Sequence, residues 1–153
     1  MYFPILFLDR WYVVVVYFSS RKIAILDCCT LCYGGGSPIE KAVRDEFVRN
    51  LSAIWKESGH PDSGFHGYRV YFADVPQQHE DLINDSGIFA MKNLEAWAIN
   101  VDMMDKLNEA DICHLRIKYV NDMLSSPFNS TDEGRFKVQE FDEVVYEKYY
   151  KSA

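Results

Sequence analysis

The run Trp11-Tyr12-Val13-Val14-Val15-Val16-Tyr17-Phe18 constrains this chain more than any other stretch. Eight consecutive apolar residues are far too few to cross a bilayer as a helix, which takes about 20. Four valines in succession are stiff at χ1 and crowd a helix surface, whereas they pack well on a pleated one. Bounded by polar residues on both sides, the run reads as a buried strand, and a buried strand needs a sheet around it.

The other elements are legible on either side. Residues 2–8 form an extended segment separated from the valine run at Asp9-Arg10, and Lys22 to Asp27 forms a third. Ser19-Ser20-Arg21 supplies the hairpin turn between the second and third. Gly34-Gly35-Gly36 is a loop, and Ser37-Pro38-Ile39-Glu40 carries the N-cap serine, first-turn proline and following glutamate of a capping box. The helix it opens presents Ile39, Val43, Phe47, Leu51 and Ile54 as one apolar stripe with Trp55 beside it, and stops at Gly59. Gly59 to Gly67 reads as a polar surface loop, and Tyr68 to Val75 as a strand ending at Pro76.

Two more helices are expected. One covers Ser86 to Ile99 through Phe89, Leu94 and Trp97. The other covers Glu109 to Ser125, with Ile112, Leu115, Tyr119 and Val120 facing inward. Trp11, Trp55 and Trp97 sit on apolar stripes and read as core. Residues 1–128 then form one domain, and 129–153 a charged aromatic tail, helix or arm. In that tail Tyr146, Tyr149 and Tyr150 either dock back or face a partner. The order β-β-β-α-β-α-α is an α+β layout.

Composition excludes several classes of function. At 153 residues, 48% hydrophobic and 15% aromatic, the chain can bury a real core and is not a disordered segment. A net charge of −7 without a basic stripe argues against a nucleic-acid partner. Met1 to Leu8 is nearly all apolar, but no basic residue precedes it and Asp9-Arg10 ends it before any small-residue cleavage site. An intracellular protein of nucleus or cytoplasm is expected, neither secreted nor bound to a membrane. Cys28, Cys29 and Cys32 crowd together, away from Cys113, which is not the spacing of a secreted disulfide framework. Cys29-x-x-Cys32 is half of a zinc site whose second half is missing, and His60 and His66 do not supply it by any motif spacing. No lysine and hydroxyl residue follow the glycine triplet as a phosphate loop requires, so neither metal nor cofactor is expected.

Four short motifs remain: Val75-Pro76-Gln77-Gln78, Asp85-Ser86-Gly87-Ile88-Phe89, Arg10-Trp11, and Ile25-Leu26-Asp27. Together they resemble the Ulp family of ubiquitin-like-protein-specific (SUMO) cysteine proteases, of the papain-like superfamily. In that family a Pro-Gln-Gln run carries the oxyanion-hole glutamine, an Asp-Cys-Gly motif opens the nucleophile helix, and a His-Trp pair begins a strand that ends in aspartate. The resemblance covers only the catalytic half of the family's domain. It implies an N-terminally truncated fold, with apolar surface left on residues 2–8 and 11–18.

Carried over position by position, the resemblance makes Ser86 the nucleophile, Arg10 the base, Asp27 the orienting acid and Gln78 the oxyanion donor. Two of these residues do not suit those roles. A guanidinium has no lone pair to accept a proton and stays charged. A hydroxyl without a base is a far weaker nucleophile than a thiol. The link His79 to Asp85 is longer by about two residues than the family's usual one, enough to shift the glutamine against the nucleophile. His79 itself reads as an exposed loop histidine. Arg10 and Asp27 are expected to pair as an ion pair. The expected function is that of a catalytically inactive Ulp-like protein acting by protein–protein binding. Its partner would be a ubiquitin-like modifier or an unrelated protein, and it would form a homo- or hetero-oligomer. The alternative is a SUMO or ubiquitin-like-modifier isopeptidase in an inactivated or atypical form.

Overall fold

The computed structural model describes residues 1–29, 38–78, 85–98, 107 and 111–128. They fall in two compact units, Met1–Glu109 and Ala110–Ala153. The capping serine Ser37, the glycine triplet, His79 and the aromatic tail lie outside the described residues.

Among the described residues four strands make one sheet in the order β1-β2-β3-β4: β1 (Tyr2–Phe7), β2 (Arg10–Tyr17), β3 (Lys22–Leu26) and β4 (Arg69–Phe72). The first three are antiparallel neighbours, whereas β3 and β4 run parallel. The β1–β2 turn is two residues long, Leu8 and Asp9, both with positive φ (52° and 57°). That is the geometry of a tight hairpin turn whose twist matches the strands. The chain break expected at Asp9-Arg10 is this turn, and Arg10 is already in the ladder opposite Phe7. Tyr17 pairs with Lys22 across the second hairpin, where Arg21 takes a positive φ of 52°.

The valine run is covered on both faces, and its residues alternate between two cores. Tyr12, Val14 and Val16 join Ile23, Ile25 and Val70 under the helical segment that follows β3. Val13 and Val15 join Ala24, Leu26, Ala73 and Val75 under a helix on the opposite face. Tyr12 through Val16 are at most 2% exposed. The first helical layer runs Pro38–Ala42 (α1), a π-helical turn Val43–Phe47, and Val48–Glu57 (α2). Gly59, with φ of +78°, ends it. The second layer is α3 (Ser86–Ala98). Trp97 Nε1–H donates to the Tyr17 hydroxyl, fixing α3 to β2.

Several expectations need correction. The stripe expected to include Ile54 does not, since Ile54 is 61% exposed. A π-helical turn holds one more residue than an α turn, so it shifts the phase of everything after it. Beyond that turn the sheet-facing positions are Val48, Leu51 and Trp55. The expected polar loop at 59–67 contains a 3-10 turn, Phe65–Gly67, whose Phe65 is only 1% exposed and packs edge-on against Trp55 and Tyr68. The ladder of β4 stops at Phe72, short of Val75. The chain still runs beside β3, through Ala73 N–H to Ile25 O (2.9 Å) and Gln78 N–H to Cys28 O (2.7 Å). Trp11 is 41% exposed rather than core.

In the second unit, α4 spans Ile112–Ser125, beginning later than Glu109. Ile112 and Tyr119 are buried, but Val120 is 49% exposed, contrary to the inward face assigned to it. Among the described residues no helix is long and apolar enough to cross a membrane.

Candidate functional site

The site lies where four chain segments meet: the start of β2, the residues just past β3, the stretch that follows β4, and the start of α3. Arg10 is the first residue of β2 and is 5% exposed. Asp27 follows β3 directly and is fully buried. Arg10 Nη2 donates to Asp27 Oδ2 at 2.8 Å, and Arg10 Nη1 donates to Cys29 O at 3.1 Å. The other carboxylate oxygen, Oδ1, accepts the Cys29 N–H at 3.1 Å. Both oxygens of a buried carboxylate are thus met, one by a permanent cation and one by backbone. Burial pushes the Asp27 carboxyl above its ordinary value, and the Arg10 charge and the Cys29 N–H pull it back.

Ser86 opens α3 and is 3% exposed. Among the described residues its Oγ makes one hydrogen bond, accepting the Trp11 N–H at 3.1 Å. The Trp11 ring lies over the next residue, so that a Cβ added at Gly87 would sit 3.4 Å from Trp11 Cδ1. That is ordinary van der Waals distance, so a small side chain at position 87 would pack against the indole.

Gln78 is held from two sides. Its backbone N–H donates to Cys28 O, and its side-chain Oε1 accepts the Cys28 thiol at 3.3 Å. Gln77 reaches the same segment, its Nε2 donating to Asp27 O (3.1 Å) and Val75 O (2.9 Å). The structure therefore brings Arg10, Asp27, Ser86 and Gln78 to one end of the sheet. Arg10 touches Asp27 directly, Ser86 is held by the residue after Arg10, and Gln78 by the residue after Asp27. The link between Gln78 and Ser86 lies outside the described residues except at Asp85, which is 7% exposed.

Cys28 and Gln77 are the site residues that the sequence reading missed. Cys28 looked like part of a cysteine cluster, and the available signal was its position directly after Asp27. Burial, reinforced by the Asp27 charge, pushes the Cys28 thiol up to about 12. A thiol that far from ionising is no stand-in nucleophile, because the thiolate is the reactive form. Cys29 is disulfide-bonded and offers no free thiol. Tyr12 is likewise pushed up to about 12, first by burial and then by Asp27. Among the described residues no group of three or more His, Cys, Asp or Glu side chains is placed to hold a metal ion.

What this arrangement can do chemically follows from its protonation states. Peptide cleavage by a side-chain nucleophile needs a group that takes the nucleophile's proton and returns it to the leaving amine. The side chain beside Asp27 is a guanidinium, which only donates.

Residues 1–129 match the profile of the Ulp1 protease family, C-terminal catalytic domain. No curated protein sequence matches. Among solved structures, a SUMO protease Ulp1 with its catalytic cysteine oxidised to a sulfenic acid superposes with a TM-score of 0.59 at 16% identity, over 79% of this chain and 50% of that one. The C-terminal Ulp1 protease domain in complex with SMT3, the yeast ortholog of SUMO, superposes with a TM-score of 0.56 at 17% identity, over 75% and 47%. At these identities the likeness is one of fold, and the chain spans about half the length of the structures it matches.

Proposed function

This chain belongs to the Ulp1 protease family, and we propose that within it the protein binds a ubiquitin-like modifier without cleaving it. The observation that carries this reading is the Arg10–Asp27 pair, 2.8 Å long and buried. It occupies the position where the family's chemistry requires a proton acceptor. Ser86, with its hydroxyl accepting the Trp11 N–H, has no activating base among its described hydrogen-bond partners.

The surface beside this pair supports binding. Leu6, Leu8 and Trp11 are 54%, 62% and 41% exposed and cluster at the β1–β2 turn, next to the start of α3. Exposed apolar residues gathered in one place mark an interaction surface more often than scattered ones do. That a related Ulp1 domain has been solved in complex with SMT3 suggests the class of partner.

Binding of fluorescently labelled mature SUMO, followed by anisotropy, tests the proposal. Saturable binding that weakens about tenfold or more on Trp11→Ala is expected, the loss typical of an exposed aromatic anchor. No binding at any accessible concentration would remove the modifier from the reading. A second copy of this chain, or an unrelated protein, would then be the remaining occupant of that face.

A further inference from the structure

We propose that the β2–β3 hairpin end of the sheet, where Lys22 and Arg69 stand side by side on the α3 face, docks a carboxylate-rich segment of a partner protein. This end lies the whole length of β2 away from the Arg10–Asp27 pair. Arg10 opens that strand, and Tyr17, which pairs with Lys22, closes it. Eight residues of strand set the two ends about 23 Å apart.

Alternation along the strands assigns the face. Tyr17, Ala24 and Tyr71 pack on the α3 side, so Lys22 and Arg69, each two residues from one of them, lie on that side too. The two cations are register partners of β3 and β4, with backbones about 4.8 Å apart, and both are exposed. Like charges at paired positions of a sheet repel and lower its stability. Nothing described offsets this repulsion. Neither side chain makes an ion pair or hydrogen bond among the described residues. None of the four strands contains a carboxylate, and Glu95, the one carboxylate of α3, is taken by Lys92 at 3.2 Å.

The neighbouring hydroxyls are donors as well. The Tyr17 oxygen accepts Trp97 Nε1–H, which leaves the phenol proton to donate. Tyr71 keeps its proton, since burial and then Tyr17 push its hydroxyl up against the opposing pull of Arg69. A third cation, Arg21, lies at the same end, its carbonyl accepting the Arg69 N–H at 3.1 Å. Its Nη2, however, stands 3.9 Å from where a Cβ on Gly64 would be, on the loop that carries Asp62. The uncompensated pair is therefore Lys22 and Arg69. An exposed pair holds a single small anion weakly, because water and salt screen each contact. A chain bearing several carboxylates engages both cations at once and gains from the second contact without a second association cost. Nucleic acid fits less well, since its binding rests on many phosphate contacts and the chain carries −7 overall.

Fluorescence anisotropy of a labelled hexaglutamate peptide with the full chain at low ionic strength tests this, with hexaglutamine and hexathymidylate as comparators. Saturable binding of hexaglutamate is expected, at least about tenfold tighter than either comparator. Lys22→Glu places a carboxylate opposite Arg69, so it should abolish peptide binding and raise the thermal midpoint, the repulsive pair having become an attractive one. Hexaglutamate that fails to bind, that binds no better than hexathymidylate, or that binds Lys22→Glu unchanged would overturn the proposal. A lowered midpoint in Lys22→Glu would overturn it too, because Lys22 and Arg69 would then not be in uncompensated repulsion. Modifier binding is read through Trp11→Ala at the other end of β2, so failure of either reading leaves the other standing.

Discussion

A buried arginine keeps its charge at any pH the fold survives, so the energetics of Arg10 and Asp27 are those of a pair. Removing one partner of such a pair leaves the other buried and uncompensated, at a cost of about 3–5 kcal/mol. Arg10→Met is therefore expected to destabilise the protein by about that much at neutral pH, measured by denaturant unfolding. The double variant Arg10→Met, Asp27→Leu should recover most of the loss, because similar volumes then pack without charge. The pH dependence has a definite sign. Burial raises the Asp27 carboxyl above its ordinary value, so the folded state holds its proton to higher pH than the unfolded chain does. Asp27 then contributes stability that is complete below the ordinary carboxylate range and falls as pH rises through the folded-state value. Arg10→Met removes the charge that opposes this shift, so its destabilisation should shrink in mildly acid solution. A loss independent of pH would mean that Asp27 does not titrate with folding. The thiols offer a separate check. Cys28, pushed up to about 12 and donating to Gln78, should resist alkylation in the native state, while exposed Cys113 reacts. Mass mapping after brief treatment with iodoacetamide distinguishes them, and early labelling of Cys28 would show that Gln78 is not held as described.

At the scale of elements, the phase of the α1–α2 segment is the sharpest test. Leu51 faces the sheet at 7% exposure and Ile54 faces solvent at 61%. Leu51→Ala should cost about 2–5 kcal/mol, while Ile54→Ala should stay within about 0.5 kcal/mol. Equal costs would restore the uninterrupted α-helical stripe that the apolar spacing suggests. This is where sequence legibility ran out. The π-helical turn Val43–Phe47 has no local signature, and apolar residues at both Ile54 and Trp55 satisfied either phase. The strands were legible because their signals are local: β-branched runs, polar breaks and turn residues. Phe65 was not, since one aromatic in a polar glycine-rich stretch reveals its burial only once Trp55 and Tyr68 surround it. The site divides the same way. Arg10, Asp27, Gln78 and Ser86 could be found because short motifs carry them. Cys28 and Gln77 could not, because their roles are hydrogen bonds made across 50 residues of chain.

At the scale of the whole molecule, the β1 edge of the sheet limits how any association of the chain could be built. Met1 and Val16 exchange both backbone hydrogen bonds, so by alternation Tyr2, Pro4 and Leu6 direct their backbone groups outward. Proline has no N–H, which leaves a gap in the middle of that edge and blunts it against ladder extension. Association should then run through the side chains of Leu6, Leu8 and Trp11. We expect any self-association seen by sedimentation at micromolar concentration to be lost in Leu6→Lys, which leaves the backbone edge untouched. Association that survives Leu6→Lys and is lost instead on blocking the edge would place the contact on the backbone. The buried Arg10–Asp27 pair has its sharpest consequence for chemistry. The most direct measurement is hydrolysis of a fluorogenic SUMO C-terminal amide by this chain and by its Ser86→Ala variant. No release of fluorophore above buffer is expected from either, because the residue beside Asp27 cannot accept a proton. Turnover by the unaltered chain that disappears in Ser86→Ala would contradict it.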